Sequence, residues 1–314
     1  MDAELAKDVK SALEASLAEV AAGQDVVDIL PSLGWSEIQT LDRPGADRLL
    51  FDVLGRKLAG VRALDELIVH RVFRAGALEL PEGARVVLPH PDPRLGHHGV
   101  LASSWDGSGV VAVPNVTADA GTEWWIGDAA NAKAVAFGGW DDSLGWSLVD
   151  VAAFGSSDGV RVGGTRAQDA WETTLTAGRT AFAQMLASIC SSMIQIAAEH
   201  VAQREQFGRS IGSYQAVQHS LALAHVATEA AQRGVDVAWV EQTAWSAQVA
   251  KALAGRAHDT VSRVTQQITG GMGMSWEFPL HHYVRRGAVF NAMLGTAAAQ
   301  TSDLGRSLVI GRPS

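Results

Sequence analysis

The order of textures along the chain constrains its fold more than any single motif does. Residues 1 to about 75 read as helix: Leu5, Val9, Leu13 and Leu17 recur at i+4, and the apolar stretches 49–54 and 64–69 lack the period of two that a half-buried strand needs. From about 77 short β-branched runs take over, at 85–89, 109–114, 133–137 and 148–152, separated by the turn signals Pro91-Asp92-Pro93, Asp106-Gly107 and Asp158-Gly159. From about 166 long segments rich in Ala, Leu, Gln and Arg return, broken only by Gly and Ser at 208–213 and by Gly at 270–273. The expected fold is mainly α with a central β domain: helices over 1–75, a small β unit over 76–165 and an antiparallel helical bundle over 166–314. Helix breaks are expected at Pro31-Ser32-Leu33-Gly34 and Arg43-Pro44-Gly45, and short linkers near Arg74-Ala75-Gly76 and Gly163-Gly164-Thr165.

Composition narrows the function. Apolar residues make up 47% and charged residues 19% of the 314 residues, an ordinary globular balance with ample core. A net charge of −9 and the absence of a Lys/Arg run argue against nucleic acid as a partner. The single cysteine, Cys190, sits in an apolar run, so no intrachain disulfide forms and a buried structural thiol is expected. The start, Met1-Asp2-Ala3-Glu4, lacks a cationic segment followed by an apolar one, and no stretch reads as approaching the ~18 apolar residues of a membrane span. A cytoplasmic protein with no membrane association is the expectation.

Two motifs could carry chemistry. Arg204-Glu205-Gln206-Phe207-Gly208, with Gln215 following, ends one helix and begins another. Arg204 there can cap the last carbonyls, or fork onto phosphate oxygens. Some fifty residues on, Gln267-Ile268-Thr269-Gly270-Gly271-Met272-Gly273 places an amide within one turn of two glycines. Gly-Gly after a helix can be a C-cap, or it can let a ligand approach where a Cβ would clash. Together they supply a cation, amides and bare backbone suited to a pyrophosphate.

These segments, with Glu277-Phe278-Pro279-Leu280 after them, closely resemble the C-terminal domain of the acyl-CoA dehydrogenases over about 166–310. The resemblance implies an N-terminal helical domain, here shortened, a reduced β domain and a C-terminal four-helix bundle. It implies FAD bound at a subunit interface, and removal of the α proton of an acyl-CoA by a glutamate with transfer of the β hydride to flavin. By resemblance Arg204, Phe207, Gln215, Gln267, Ile268, Gly270 and Gly271 reach the ADP half of a partner subunit's FAD. Arg179 matches an arginine on the family's first bundle helix and is a candidate substrate contact.

The departures from the family are informative. Its usual base lies nine residues after an Arg, and counting from Arg285 lands on Leu294; the alternative base position, just before Arg179, is Gly178. Neither accepts a proton, so no catalytic residue is expected in this chain. The flavin-flanking segments of the β domain have no counterpart, Trp124-Trp125-Ile126-Gly127-Asp128 being a faint echo of one. Ala297 and Ala298 replace a small hydroxyl and amide pair, and Arg286 replaces an acidic residue. Loss of a general base forfeits ~10² to ~10⁴ in rate. The chain therefore resembles the shortened subunit of actinobacterial α2β2 acyl-CoA dehydrogenases of steroid degradation. That implies a full-length partner supplying the isoalloxazine and thioester pockets, a bulky, steroid-derived acyl-CoA as substrate, and FAD shared across the interface. Two alternatives stand beside it: a self-sufficient flavoprotein with its base moved to Glu172 or Asp169, and a flavin-free subunit that only stabilises or regulates its partner.

Other residues are read as structural. His90 and Leu95-Gly96-His97-His98-Gly99, like His281-His282, lack acidic or cysteine ligands at matching spacing and read as solvated loops, so no metal is expected. The ten tryptophans, including Trp140, Trp146 and Trp171, are assigned to packing, and Asp141-Asp142 and Glu241 to solvent.

Overall fold

In the computed structural model of the chain, the described residues are 2–18, 26–81, 83–96, 98–103, 105, 107–117, 121–131, 133–136, 141–151 and 159–310. The helices are α1 (Ala3–Ala18), α2 (Trp35–Lys57), α3 (Ala63–Arg74), α4 (Thr165–Gln203), α5 (Gln215–Glu241), α6 (Ala244–Thr269), α7 (Leu280–Ala292) and α8 (Ala297–Ile310). The mainly helical architecture with a central sheet region is the one expected. Two compact units interleave along the sequence: residues 1–14, 39–58 and 179–314 form one, residues 15–38 and 59–178 the other. Texture follows local propensity, whereas a unit follows which apolar faces meet, so these boundaries differ from 1–75, 76–165 and 166–314.

In the larger unit α6 packs against α5, α7 and α8. Small residues make this possible: Ala247, Ala250, Ala254, Ala257 and Val261 are buried at helical spacing, and a Cβ on Gly255 would lie 2.2 Å from Asn291 Oδ1 and 2.8 Å from Ala297 Cβ. The turn into α6 is chemically specified. Gln242 takes φ 54° and donates its N–H to Ala238 O at 3.0 Å, and Thr243 then caps α6 through a reciprocal box with Ser246. The break expected at Arg43-Pro44-Gly45 is a kink inside α2, where Asp42 leaves helical geometry and accepts the Gly45 N–H at 3.0 Å. Further along α2, Gly55 lies where a Cβ would meet Met185 O of α4 at 2.7 Å.

One expectation needs correcting. By length and composition α4 could cross a membrane. Its apolar run 181–190 is buried on every face by the protein itself, including Phe182, Met185, Leu186, Ile189 and Cys190, which is the pattern of a core helix. Burial also pushes the Cys190 thiol well above its usual range, as an inert structural thiol requires.

The smaller unit holds two four-stranded sheets. One runs β1 (Arg85–Val86), β4 (Val110–Thr117), β5 (Gly121–Asp128), β8 (Val160–Val162); the other runs β2 (Leu88–Pro89), β3 (His98–Leu101), β7 (Ser147–Asp150), β6 (Lys133–Ala136). Among the described residues only β1 and β4 pair in parallel. Val87, Leu101, Val111, Val113, Trp125 and Val149, drawn from both sheets, form a common core. The fully buried Trp124 donates its indole N–H to Ala167 O at 3.0 Å, and Thr122 donates to Gln168 Oε1 at 2.8 Å, so β5 anchors the start of α4. Asp141 is buried rather than solvated: it caps a short turn, accepting from Ser143 N at 3.1 Å. Trp140 and His97 lie outside the described residues.

Candidate functional site

The two motifs of the C-terminal half lie in the larger unit, and a ring contact joins their segments. His200, in the last turn of α4, meets Phe278, just past the Gly270-Gly271 turn, edge-on at 5.4 Å. Arg204 follows one turn after His200. Its N–H, not its guanidinium, closes the helix, donating to His200 O at 2.9 Å.

From there the chain makes a tight hairpin, β9 (Glu205–Gln206) and β10 (Arg209–Ser210), with Gln206 paired to Arg209. Both turn residues, Phe207 at φ 53° and Gly208 at φ 77°, are left-handed, as a two-residue turn twisted to match its strands demands. Sequence reading finds only a Gly/Ser break here, because Asn-Gly is the usual signal and Phe-Gly is not. The hairpin is tied down at its base by Ser210 Oγ donating to Val201 O at 2.8 Å and by the Arg209 guanidinium 4.0 Å above the Tyr214 ring. At its tip Phe207 is 93% exposed. Arg204 and Gln215 are exposed too, and their side chains have no partner among the described residues.

The second motif is equally open. Gly270 ends α6 with its N–H on Gln266 O and takes φ 58°, ψ −141°, a conformation only glycine holds without strain. The capping role is therefore real. Gly271 has no such requirement: its φ is ordinary, and a Cβ there would meet nothing within 4 Å. Gln267 and Gly271 are exposed, Ile268 is half-buried, and the Gln267 side chain has no partner among the described residues. A surface with an unengaged guanidinium, two unengaged amides and bare backbone fits the diphosphate and ribose portion of a dinucleotide.

The two positions where a base is expected by resemblance are sealed. Gly178 is buried on α4. Leu294 is 9% exposed with φ 54°, and its carbonyl accepts from Arg179 Nε at 3.2 Å and from Gln300 Nε2 at 2.8 Å. The neighbouring carbonyls of Asn291 and Gly295 both accept from Lys251 Nζ, at 2.8 and 3.1 Å. Asn291 Oδ1 in turn accepts the Ala297 N–H at 3.1 Å. Lys251 is fully buried; burial, with repulsion from Arg179, pushes its pKa down to about 7. Burial likewise lowers Arg179. Lys251 and Gln300 escape a motif search, although a lone lysine in the small apolar run 247–254 sits on the face that buries Ala247, Ala250 and Ala254 and could have been placed in the core.

The remaining candidates fall elsewhere. Asp169 and Glu172 are both exposed near the start of α4, with Glu172 accepting from Gln168 at 2.9 Å. Arg286, in place of an acidic residue, is buried and donates to Leu58 O at 2.8 Å, closing the end of α2. His281 and His282 are in the first turn of α7 rather than a loop, their rings 3.9 Å apart beside the exposed Trp276. His90 accepts the Asp92 N–H and His98 is on β3. Among the described residues no group of three His, Cys, Asp or Glu gathers as a metal site would need.

Residues 169–309 match the family model described as acyl-CoA dehydrogenase, C-terminal domain. Acyl-CoA dehydrogenase IpdE2 of Mycobacterium tuberculosis is 36% identical over 93 residues, 30% of this chain and 29% of that protein, so the match spans under a third of the relative's length. Among solved structures, the ChsE4-ChsE5 complex from Mycobacterium tuberculosis superposes over 100% of this chain and 99% of that one with a TM-score of 0.72 at 20% identity. A Tcur3481-Tcur3483 steroid acyl-CoA dehydrogenase variant superposes over 99% of both chains, also with a TM-score of 0.72 at 20% identity.

Proposed function

We propose that this chain, which superposes on acyl-CoA dehydrogenase structures and whose residues 169–309 match the model of that family's C-terminal domain, is a non-catalytic, FAD-sharing subunit of a heteromeric acyl-CoA dehydrogenase. One observation carries the reading. The groups suited to gripping a dinucleotide are exposed and unengaged, while the place of the base holds a buried leucine whose backbone is tied by Arg179 and Gln300.

In this reading Arg204 forks onto the diphosphate of an FAD whose isoalloxazine lies in the partner subunit. Gln215 and Gln267 donate amide hydrogens to it, and Gly270 and Gly271 admit it to backbone. Phe207 packs against the partner beside it. When bound, FAD supplies the hydride acceptor for oxidation of an acyl-CoA to the 2,3-enoyl-CoA; the proton-abstracting carboxylate comes from the partner. The steroid dehydrogenase among the structural neighbours, named for two components, is what supports a steroid-derived, bulky acyl group and a heteromeric assembly, for which α2β2 is the stoichiometry proposed.

The test is Arg204→Ala in this subunit, co-expressed with a full-length acyl-CoA dehydrogenase partner, with flavin counted per subunit. Loss of a charge-assisted phosphate bond of ~1.5 to 3 kcal/mol is expected to weaken flavin retention roughly ten- to a hundredfold. Unchanged flavin content in that variant, or a chain that alone binds flavin and oxidises an acyl-CoA, overturns the proposal.

A further inference from the structure

Within the larger unit, away from both motifs, an open cleft of about 520 Å³ runs along one face of α2, between α1, α4 and α5. Its lining includes Lys10, Arg48, Asp52, Arg56, Gln184 and Glu229. That volume is in the range of small-molecule sites. The lining is polar and partly unsatisfied, whereas helix–helix seams usually close with apolar side chains.

The floor is a chain of hydrogen bonds with loose ends. Asp52 accepts from Lys10 Nζ at 2.6 Å, from Arg56 Nε at 3.0 Å and from Ser188 Oγ at 2.7 Å. Burial opposes its charge, but Arg56, Lys10 and Ser188 outweigh burial and hold the carboxyl below the usual range. At the floor one carboxylate thus serves two cations, while Asp42, Arg48 and Glu229 also line the cleft. Each of those two cations is about a third exposed, and among the described residues neither the Arg56 terminal nitrogens nor the remaining Lys10 hydrogens have another partner. Ser188 accepts from Gln184 Nε2 at 3.3 Å, which fixes the amide so that Gln184 Oε1, on a residue 1% exposed, is an acceptor with no donor. A buried acceptor left without a donor costs about 1–3 kcal/mol, so the position calls for one from outside the chain.

We propose that this cleft binds a small hydroxylated anion, a hydroxy acid or a sugar phosphate. Its carboxylate or phosphate lies on Arg56 and Lys10, and a neighbouring hydroxyl donates to Gln184 Oε1. The cationic donors and the orphan acceptor stand two side chains apart, through Asp52 and Ser188, so one compact ligand reaches both. The guanidinium fork suits either anion. Arg48 and Glu229 at the rim are occupied by Asp236 and Arg233, which leaves the floor as the recognition element.

The test is calorimetric titration of the full chain with glycerol 3-phosphate, glycolate, inorganic phosphate and glycerol. Saturable binding of glycerol 3-phosphate or glycolate, at least tenfold tighter than inorganic phosphate or glycerol, is the expected result. Gln184→Met, an isosteric change in a buried position, should remove the preference for the hydroxylated anions while leaving weak phosphate binding. Lys10→Met, at a more exposed position on α1, should weaken every anion about tenfold and so covers the case in which the core variant fails to fold. No saturable binding by the natural chain at millimolar concentrations, or equal affinity in the natural chain and Lys10→Met, overturns the proposal.

Discussion

Lys251 offers the sharpest test of the sealed base position, because its burial ties stability to pH. Its amine is fully enclosed and donates to the carbonyls of Asn291 and Gly295, and its pKa is depressed from 10.5 to about 7. Below pH ~7 folded and unfolded chains both hold the proton, and the folded state bears the whole penalty of a buried ammonium. Between about 7 and about 10.5 the unfolded chain binds more protons, so stability rises with pH by up to ~1.4 kcal/mol per unit. Across pH 7 to 10 the rise from this one group is about 4 kcal/mol. Lys251→Met removes it. The substitution also leaves two carbonyls without a donor, at ~1–3 kcal/mol each, which shifts its whole curve but not its slope. Urea unfolding of the natural chain and of Lys251→Met, measured from pH 6 to 10, should give curves parallel below about 7 that diverge by several kcal/mol above it. Parallel curves throughout would refute a buried, near-neutral amine at this loop.

The adjacent glycines separate folding from function. Gly270→Ala should destabilise the chain by ~1–3 kcal/mol, because only glycine holds φ 58°, ψ −141° without strain, and thermal unfolding reads this directly. Gly271→Ala, with open space at its Cβ and an ordinary φ, should leave stability within ~0.5 kcal/mol yet lower flavin retention in the heteromer; retention equal to the natural complex would remove the proposed close approach. Phe207→Gly should leave the isolated chain as stable or up to ~1–2 kcal/mol more so, since it relieves a left-handed phenylalanine, while weakening association with the partner at least tenfold in sedimentation. Unchanged association would leave the exposed ring without the role proposed for it.

Much of the fold was legible because the signals were local and long. Apolar i+4 spacing marked α1, long segments rich in Ala, Leu, Gln and Arg marked the bundle helices, and β-branched runs between turn residues marked β1, β4, β6 and β7. The strands β3, β5 and β8 were harder. Their residues, such as His98-Gly99 and Trp124-Trp125, carry weak alternation and gain strand geometry from cross-strand partners rather than from propensity. The same reasoning separates what was visible in the site. Arg204, Gln267 and the glycines stand at helix ends, where sequence chemistry is explicit. The ties on Leu294 come from Arg179, 115 residues upstream in sequence, and from Gln300, and those on the neighbouring carbonyls of Asn291 and Gly295 come from Lys251; these roles exist only once α4, α6 and α8 are side by side. Asp141 failed for a related reason: a carboxylate next to another reads as solvated until the backbone N–H groups it caps are seen.

The exposed motif residues bear on why such a chain would keep them. Each is neutral or unfavourable for the chain alone. A phenylalanine at φ 53° with 93% of its surface in water gains nothing from burial and carries backbone strain that an asparagine would lessen. A glycine with free space at its Cβ gives up the ~0.4–1 kcal/mol that alanine would return by restricting the unfolded chain. An unpaired surface arginine contributes little to stability. Local rules broken together without internal compensation are what the proposed partner would compensate. The base position shows the opposite balance. There every departure is compensated inside, by Arg179, Lys251 and Gln300 holding backbone carbonyls, which is how a segment looks when packing rather than proton transfer decides its residues. The proposed heteromer therefore has a thermodynamic signature beyond flavin content: mutations of Arg204, Gln215, Gln267 and Gly271 should be silent in the isolated chain and strong in the complex, and mutations at the second group strong in both.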